Sequence, residues 1–433
     1  MTRTKNNRAI TSRLWVLPLA LTVALSGCGA TTNSDATSEQ GDAAIEDTKG
    51  TTTSRQTISD EGDSSHAISV SGEEASYTAV DVIKTGNADG DEADFYGTNA
   101  AVYAEEGATL TLDDITVNTN GTHANAVFSY GEGTSIDIAN STIETTGNCS
   151  GGIMVTGGGT LNATDLTIHT TGNSSAAIRS DRGGGTQNVT GGTYTTDGTG
   201  SPVIYSTADV TVSDATLVST ASQGVVVEGK NSVTLNNADL TASNTTKNSD
   251  KSDVYQAVMI YQSMSGDAAE GEASFATNNG SITNKNGDVF FVNNTVATIS
   301  LDGTTVTNED SEGVFLRAAA AGWGTEGSNG GHVTLKLAHE QLTGDIVVDS
   351  VSEMNAYLSD STSYTGAINA ANEGSVYVEI ASGSTWTLTG DSYVTALTCD
   401  PDAINLNGHK ITAQPQITPT AASILKSLQS PGH

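Results

Sequence analysis

The 433-residue chain contains few of the residues that commonly cross-link, interrupt or fill a fold. It has three cysteines, six prolines and 5% aromatic residues, and its 17 lysines and arginines face 50 aspartates and glutamates. The resulting formal net charge of −33 excludes nucleic acid and anionic lipid headgroups as partners held by charge. It is compatible with a soluble exterior, with divalent cations or with a cationic surface.

Long apolar runs are also missing, with one exception near the N-terminus. Residues 14–25 form an apolar stretch that is too short to span a membrane as a mature helix. Four basic residues precede it: Arg3, Lys5, Arg8 and Arg13. Residues 1–27 therefore have the pattern of a signal peptide. The stretch ends in Leu25-Ser26-Gly27-Cys28, which resembles the lipobox of bacterial lipoproteins.

The lipobox resemblance implies that Cys28 is acylated, for example with palmitate, and becomes the mature N-terminus. The chain would then be exported and lipid-anchored to the cell membrane or the outer membrane, facing the exterior, without spanning the bilayer. An ordinary secretory peptide with a coincidental cysteine is the alternative. Residues 28–66 are mostly small and polar, so we expect a disordered tether there. Removal of residues 1–27 would bring the net charge to about −37.

The body of the chain repeats one short apolar run about nine times between residues 99 and 344. The central residues of these runs are spaced 22 to 32 residues apart: Val102, Val127, Ile153, Ile178, Ile204, Val226, Val258, Phe290 and Phe315. A second column follows at nearly the same step: Val117, Ile143, Ile168, Tyr194, Leu217, Leu240, Ile282 and Val306. A third short strand, such as residues 110–112, lies between them. Three strands per repeat indicate a solenoid of strands.

Local patterns favour a parallel β-helix over a sandwich or barrel. Apolar and small polar residues alternate within each short strand, so that one face is buried. The corners carry Asp, Asn and Gly, which tolerate left-handed backbone, as at residues 113–114, 139–140 and 302–303. No repeat has a helical period. We therefore predict an all-β fold, a parallel β-helix solenoid of about 11 to 12 rungs of three short strands over residues 67–412, followed by a loose tail at 413–433.

The repeat spacing also bears on the cysteines. Cys149 and Cys399 lie about eight repeats apart, and a disulfide requires Cα atoms within about 7 Å. We expect both to be unpaired, with Cys149 packed as a small hydrophobic side chain.

The pattern changes after Gly344. Residues 384–390, Ser-Thr-Trp-Thr-Leu-Thr-Gly, resemble the closing rungs of autotransporter passenger domains. The body as a whole resembles the pectin-lyase-like superfamily of right-handed parallel β-helices, among them adhesin-like surface lipoproteins. The resemblance implies a right-handed solenoid that presents loops to a ligand. It departs from autotransporters because no translocator barrel follows, so that attachment would fall to Cys28.

One acidic segment is a weak candidate for a metal site. Asp89, Asp91 and Asp94 are close together beside a glycine, and oxygen ligands of this kind suit calcium. The glycine is misplaced for an EF-hand and no glutamate closes the loop. A solvated acidic loop is the expected state, and calcium is the one cofactor that remains possible.

A second candidate lies where one rung opens into a loop. Arg179, Asp181 and Arg182 precede three glycines. Polysaccharide lyases of the β-helix superfamily use an arginine as base beside acidic calcium ligands, which makes these three residues the alternative catalytic set. The same residues also suit a surface ion pair of little energetic weight.

Three polar insertions, at 244–253, 263–272 and 318–331, interrupt the later repeats. Insertions on solenoids often form the binding surface. Trp323, Tyr255 and Tyr261 lie in or beside them, and we take these aromatic residues as candidate ligand contacts, with packing in the core or loops as the alternative.

Three functions stay open at this stage. The first is a non-enzymatic, adhesin-like surface lipoprotein, acting as a monomer, that presents loops to a carbohydrate or to a host or matrix protein. The second is a polysaccharide lyase or glycoside hydrolase on the same fold, which requires acidic and basic side chains to converge on one face of adjacent rungs. The third is a structural envelope protein. Fold alone does not decide among them.

Replacement of the candidate lipidation site tests the anchor. Cys28→Ala should move the protein from the membrane fraction to the soluble or culture fraction, because the acyl chains supply the expected membrane affinity. Immunoblotting of the fractions measures this. An unchanged amount in the membrane fraction would contradict lipidation.

Overall fold

A computed structural model describes residues 55–245, 247 and 251–413, and these residues form a nearly all-β solenoid. The elements in chain order are β1 (Gln56–Asp60), β2 (Ile68–Ser71), β3 (Glu74–Thr78), β4 (Val80–Lys84), α1 (Asp91–Tyr96), β5 (Val102–Glu105), β6 (Thr109–Asp113), β7 (Thr116–Thr119), β8 (Val127–Tyr130), β9 (Ser135–Ala139), β10 (Thr142–Thr145), β11 (Ile153–Thr156), β12 (Gly159–Thr164), β13 (Thr167–Thr170), β14 (Ile178–Ser180), β15 (Gly185–Thr190), β16 (Thr193–Thr196), β17 (Ile204–Ser206), β18 (Asp209–Ser213), β19 (Thr216–Ser219) and β20 (Val225–Glu228).

The second half continues with β21 (Ser232–Asn236), β22 (Asp239–Ala242), β23 (Gln256–Tyr261), β24 (Glu272–Asn278), β25 (Ser281–Asn284), β26 (Asp288–Asn293), β27 (Thr295–Asp302), β28 (Thr305–Asn308), β29 (Leu316–Ala318), β30 (Gly331–Ala338), β31 (Gln341–Thr343), β32 (Ile346–Val348), β33 (Glu353–Ser359), β34 (Ser363–Thr365), β35 (Ser375–Ile380), β36 (Thr385–Thr387), β37 (Ser392–Val394), β38 (Ala396–Thr398), a 3-10 turn (Pro401–Ala403), β39 (Ile404–Asn405) and β40 (Ile411–Ala413).

Three long parallel sheets run along the solenoid. Sheet A has ten strands, β1, β4, β7 and every third strand to β28; sheet B has eleven, β2, β5, β8 and every third strand to β32; sheet C has thirteen, β3, β6, β9 and every third strand to β33, then β35 and β38. Sheet A ends at β28, and a four-stranded sheet of β31, β34, β36 and β39 follows. The prediction of a parallel β-helix with three strands per rung is confirmed.

The core consists of columns of apolar side chains in register. In sheet A, Val117 pairs with Ile143, Ile143 with Ile168 and Ile168 with Tyr194. These four side chains are at most 1% exposed. The repeat in sequence is therefore a repeat in space, and each strand buries its inward residues against the rungs above and below. Trp386 of the 384–390 pattern is also buried, and its Nε1 donates to the Gly366 carbonyl at 2.9 Å.

One corner of the solenoid carries left-handed residues, as expected from its Asp and Asn content. Asp114, Asn140, Asp165, Asp214 and Asn237 have φ between 49° and 56°. Side-chain hydrogen bonds link neighbouring rungs at this corner, as in Asn237 Nδ2 to Asp214 Oδ1 at 2.7 Å. Asp and Asn residues thus adopt the left-handed backbone that this corner requires, and their side chains connect neighbouring rungs through hydrogen bonds.

A second corner depends on glycine for a different reason, which is contact between successive backbones. The column is Gly86, Gly121, Gly147, Gly172 and Gly198. A Cβ added to Gly172 would lie 1.9 Å from the Gly147 carbonyl oxygen. Serines complete this corner: Ser175 Oγ accepts from the Ser150 amide at 3.0 Å and donates to the Gly147 carbonyl at 3.1 Å.

The structure differs from the sequence-based boundaries at its N-terminal end. β1 lies within residues 28–66, which we predicted as a disordered tether. Its residues are ordered as a strand because they pair in register with β4. Buried Lys84 of β4 pairs with Asp60 at 2.8 Å. The signal peptide, Cys28, most of the tether and nearly all of the 413–433 tail lie outside the described residues. Within the described part of the chain, no helix is long and apolar enough to cross a membrane.

The cysteines give one correction. Cys149 is disulfide-bonded, so the expectation that it is unpaired is wrong. The repeat spacing excludes a disulfide between Cys149 and Cys399, but it does not exclude other partners for Cys149. Cys399 is a free, buried thiol, as expected.

The glycine corner yields a test of the stacking. Gly172→Ala should lower the free energy of unfolding by about 3 kcal/mol, because the new methyl group and the Gly147 carbonyl cannot both keep their positions. Gly107→Ala is the matched control: its φ is +80° but nothing lies within 4 Å of the added carbon, so a loss of about 1–2 kcal/mol is expected. Chemical denaturation measures both. Equal losses would contradict the close backbone contact.

Candidate functional site

The outward side of sheet B, which we call the covered face, differs from the other outer faces because its side chains are mostly buried. Its central column runs in register from rung to rung through Tyr103, Phe128, Met154, Arg179, Tyr205, Val226, Met259, Phe291 and Arg317. Helix α1 and the insertions at 263–271 and 319–330 lie over it. Two small apolar clusters form there, one around Phe128 and Met154 and one around Met259 and Phe291. Between these clusters lies a group of charged side chains that we call the charged zone: Asp91, Asp94, Arg179, Asp181, Arg182 and Asp267.

Helix α1 fixes one side of the charged zone. Its single turn and a half begins after Gly90 and ends at Gly97. Gly97 has φ +72° and leaves no room for a Cβ, which would lie 2.8 Å from the Phe128 ring. Asp94 and Phe95 of this helix are buried, and Asp94 contacts Arg179 of sheet B.

Arg179 is the centre of the zone. Its Nη2 donates to Asp94 Oδ1 at 2.7 Å and to Asp181 Oδ2 at 3.0 Å, and all three side chains are at least 93% buried. Burial alone would lower the pKa of Arg179, but the attraction of the two carboxylates outweighs it and raises this pKa. Arg179 therefore stays cationic and is not available as a base.

The two carboxylates titrate differently. Burial acts to raise the pKa of Asp94, but the charge of Arg179, the hydrogen bond from Arg179 and the nearby His123 ring lower it below its usual range. Burial raises the pKa of Asp181 to about 7, and repulsion by the charges of Asp94 and Asp267 adds to this shift. The positive charge of Arg179 lowers the pKa and offsets the shift only in part. The pKa of Asp181 is thus near neutral.

Arg182 joins three chain segments. It pairs with Asp91 of α1 at 3.0 Å and with Asp267 of the 263–271 insertion at 2.7 Å. Its guanidinium carbon lies 3.7 Å from the centre of the Phe95 ring, which adds a cation–π contact. The side chain is 34% exposed, so solvent screens these pairs more than those of Arg179.

A second polar group, which the sequence did not suggest, surrounds Glu228 at the end of β20. Its carboxylate accepts from the Tyr205 hydroxyl at 2.5 Å, from the Tyr261 hydroxyl at 2.9 Å and from Ser263. Burial raises the pKa of Glu228 although these hydrogen bonds oppose the shift. Glu228 breaks the apolar run 225–227, and this charged residue after three valines was the available signal.

The candidate calcium residues do not converge. Asp94 faces Arg179, Asp91 faces Arg182, and Asp89 lies 3.8 Å from His123. Within 55–245, 247 and 251–413, no group of three His, Cys, Asp or Glu side chains could hold a metal ion. The acidic segment that the sequence suggested as a loop is partly helical, because Asp91 and Asp94 belong to α1.

The candidate ligand aromatics pack within the protein. Trp323 is 2% exposed and its ring lies 5.2 Å from that of Tyr261, which is fully buried. Tyr255 is half-buried, and Lys247 Nζ lies 5.9 Å from the centre of its ring. A sugar could stack on Trp323 or Tyr261 only after the 319–330 insertion moved. Their role in ligand binding stays a prediction.

The structure brings the alternative catalytic set Arg179, Asp181 and Arg182 together and adds partners that sequence reasoning missed. Asp94 and Asp267 are each 85 or more positions away from the arginines they bind, so local spacing could not reveal them. A pocket beside the cluster is lined by Asp94, Arg179, Asp181, Tyr205 and Met259, among others. Comparison with protein-family models, with curated proteins and with solved structures finds no match for this chain.

Replacement of Arg179 tests what the cluster does. Arg179→Met should lower the free energy of unfolding at pH 7 by about 3–5 kcal/mol, because two buried carboxylates lose their partner. The triple variant Arg179→Met with Asp94→Asn and Asp181→Asn should recover most of this. Lys285→Met, in a surface pair with Glu309, should lose less than about 1 kcal/mol.

The same variant has a predicted pH dependence. Without Arg179, burial raises the pKa of both Asp94 and Asp181 above that of the unfolded chain, so the native variant binds more protons than the unfolded one. Its stability then rises as the pH falls from 7 towards 4. Urea denaturation at both pH values should find the largest difference from the parent protein at pH 7. A difference that grows on acidification would contradict this role of Arg179.

Proposed function

We propose that this chain is an exported lipoprotein, held at a membrane surface through Cys28, whose β-helix binds a carbohydrate or a protein ligand without catalysis. The observation that carries the proposal is the state of the charged residues on the covered face. Arg179, Asp94, Asp181, Asp267 and Glu228 are buried and bound to one another or to tyrosine and serine hydroxyls. Acid–base chemistry on a polymer needs groups that reach the substrate.

The charge distribution supports a structural role for this network. Each arginine connects sheet B to a segment that lies over it: Arg179 to α1, and Arg182 to α1 and the 263–271 insertion. The network therefore holds the covering segments in place. The outer faces of sheets A and C, which carry small polar side chains, remain for ligand contact.

A polysaccharide lyase or hydrolase is the second candidate, and one specific observation favours it. Acidic and basic side chains converge on adjacent rungs, and the pKa of Asp181 is about 7, which suits a general acid. Under this alternative, Asp181 would donate the proton, and the 263–271 insertion would have to move to admit the polymer.

The anchor has its own chemical constraint. The chain has three cysteines, Cys399 is a free thiol, and a cysteine whose sulfur carries a lipid cannot form a disulfide. In a lipidated mature chain, the N-terminal peptide should therefore begin at Cys28, carry acyl chains and take part in no disulfide. Mass spectrometry of the alkylated protein measures this. An N-terminal peptide with an unmodified Cys28 would contradict the lipid anchor.

Activity is tested on the purified chain. Incubation with uronic-acid and neutral polysaccharides, with and without calcium, should release neither new reducing ends nor unsaturated products. Products that vanish on Asp181→Asn or Arg182→Ala, but persist in the surface control Glu326→Gln, would replace the proposal with the enzymatic alternative.

A further inference from the structure

Among the described residues, two large aromatic side chains are exposed, and both lie on one sheet. Tyr357 of β33 is 41% exposed and Tyr377 of β35 is 38% exposed. Both project from the outer face of sheet C, because each occupies an outward position of the buried–exposed alternation in its strand. Exposed tyrosines on a rigid sheet are typical of recognition surfaces.

The strand register sets the distance between the two rings. Tyr357 pairs with Glu379, and Asn355 pairs with Tyr377, so that the tyrosines are one strand and two residues apart. With strands about 4.8 Å apart and about 3.3 Å per residue, their Cα atoms are about 8 Å apart on one face. Two stacking surfaces at this distance suit neighbouring rings of an oligosaccharide.

A shallow groove continues from Tyr357 across three more strands. It is lined by Asn278, Ser300, Asp302, Lys336, Tyr357 and Ser359. Ser300, Lys336 and Tyr357 occupy one column, since each pairs with the next across β27, β30 and β33. The groove therefore runs along the solenoid axis, and hydroxyl, amide and ammonium groups recur along it at the strand spacing.

Area and charge favour a neutral glycan over other partners. The aromatic patch consists of two rings, whereas a stable protein interface buries about 800 Å² on each partner. Asp302, Glu353 and Glu379 outnumber Lys336 on this part of the face, and the chain carries a net charge of −33. A polymer of uronic acids would be repelled.

We propose that the outer face of sheet C binds an extended neutral glycan. Its sugar rings stack on Tyr357 and Tyr377, and its hydroxyl groups donate and accept hydrogen bonds along the groove that extends from Tyr357 to Asn278. This inference rests on the proposed non-enzymatic binding function and names the ligand class and the surface. The covered face of sheet B takes no part in it.

Affinity electrophoresis of the full chain tests the site. The native gels contain a soluble β-1,3-glucan, a xyloglucan, a mannan or, as the anionic comparison, alginate. At least one neutral polymer should retard the chain. Tyr357→Ala and Tyr377→Ala should each weaken this binding by about tenfold, whereas Tyr357→Phe should keep it because the ring is retained. Ile83→Ala, an exposed apolar residue of sheet A, should bind like the parent.

Each other outcome overturns the inference. Undiminished binding by both alanine variants, with unchanged unfolding midpoints, would place the glycan elsewhere and leave the proposed function intact. Stronger retardation by alginate would contradict the neutral class. If no polysaccharide binds, the glycan site is wrong, and immobilised fibronectin and collagen then decide the proposed function separately. Binding to either protein preserves that function, and binding to neither contradicts it.

Discussion

The close stacking of successive backbones is the constraint on which the rest of this structure depends. Every strand pairing among the described residues is parallel, and each rung is placed by main-chain hydrogen bonds to the rung before it. At the glycine corner the chain approaches its predecessor so closely that no side chain fits. Because the rungs repeat at this short distance, any side chain that repeats in sequence becomes a column in space, whether apolar, serine or asparagine.

The same constraint determines how charge is accommodated. A column on the outer face of sheet B that contains Phe128, Met154 and Met259 needs a cover, and α1 and the later insertions supply it. Once covered, an arginine in that column must be paired, because an isolated buried charge is strongly unfavourable. Arg179 with Asp94 and Asp181 meets this requirement. The cluster then follows from the cover, and burial together with the neighbouring charges accounts for its unusual pKa values.

Sequence reasoning could predict those features that repeat, since the regular spacing of Val117, Ile143 and Ile168 indicates which residues pair between neighbouring rungs. The left-handed corner was predictable for the same reason, from Asp114 and Asn140 in equivalent positions. Features that occur once were not. Helix α1 is six residues long, too short for a helical period, and Asp94 reaches Arg179 across 85 positions. The outward apolar column of sheet B could have indicated a cover, but nothing in the repeats identified the covering segment.

The account depends most directly on the claim that the Arg179 cluster holds α1 against sheet B. Hydrogen–deuterium exchange of the intact chain and of Arg179→Met at pH 7 measures this. Loss of the ion pairs should raise exchange in α1, at the amides of Ala93 and Asp94 that bond to Gly90, while the amides of β9 and β12 in sheet C keep their protection. Unchanged exchange in α1 would contradict the claim.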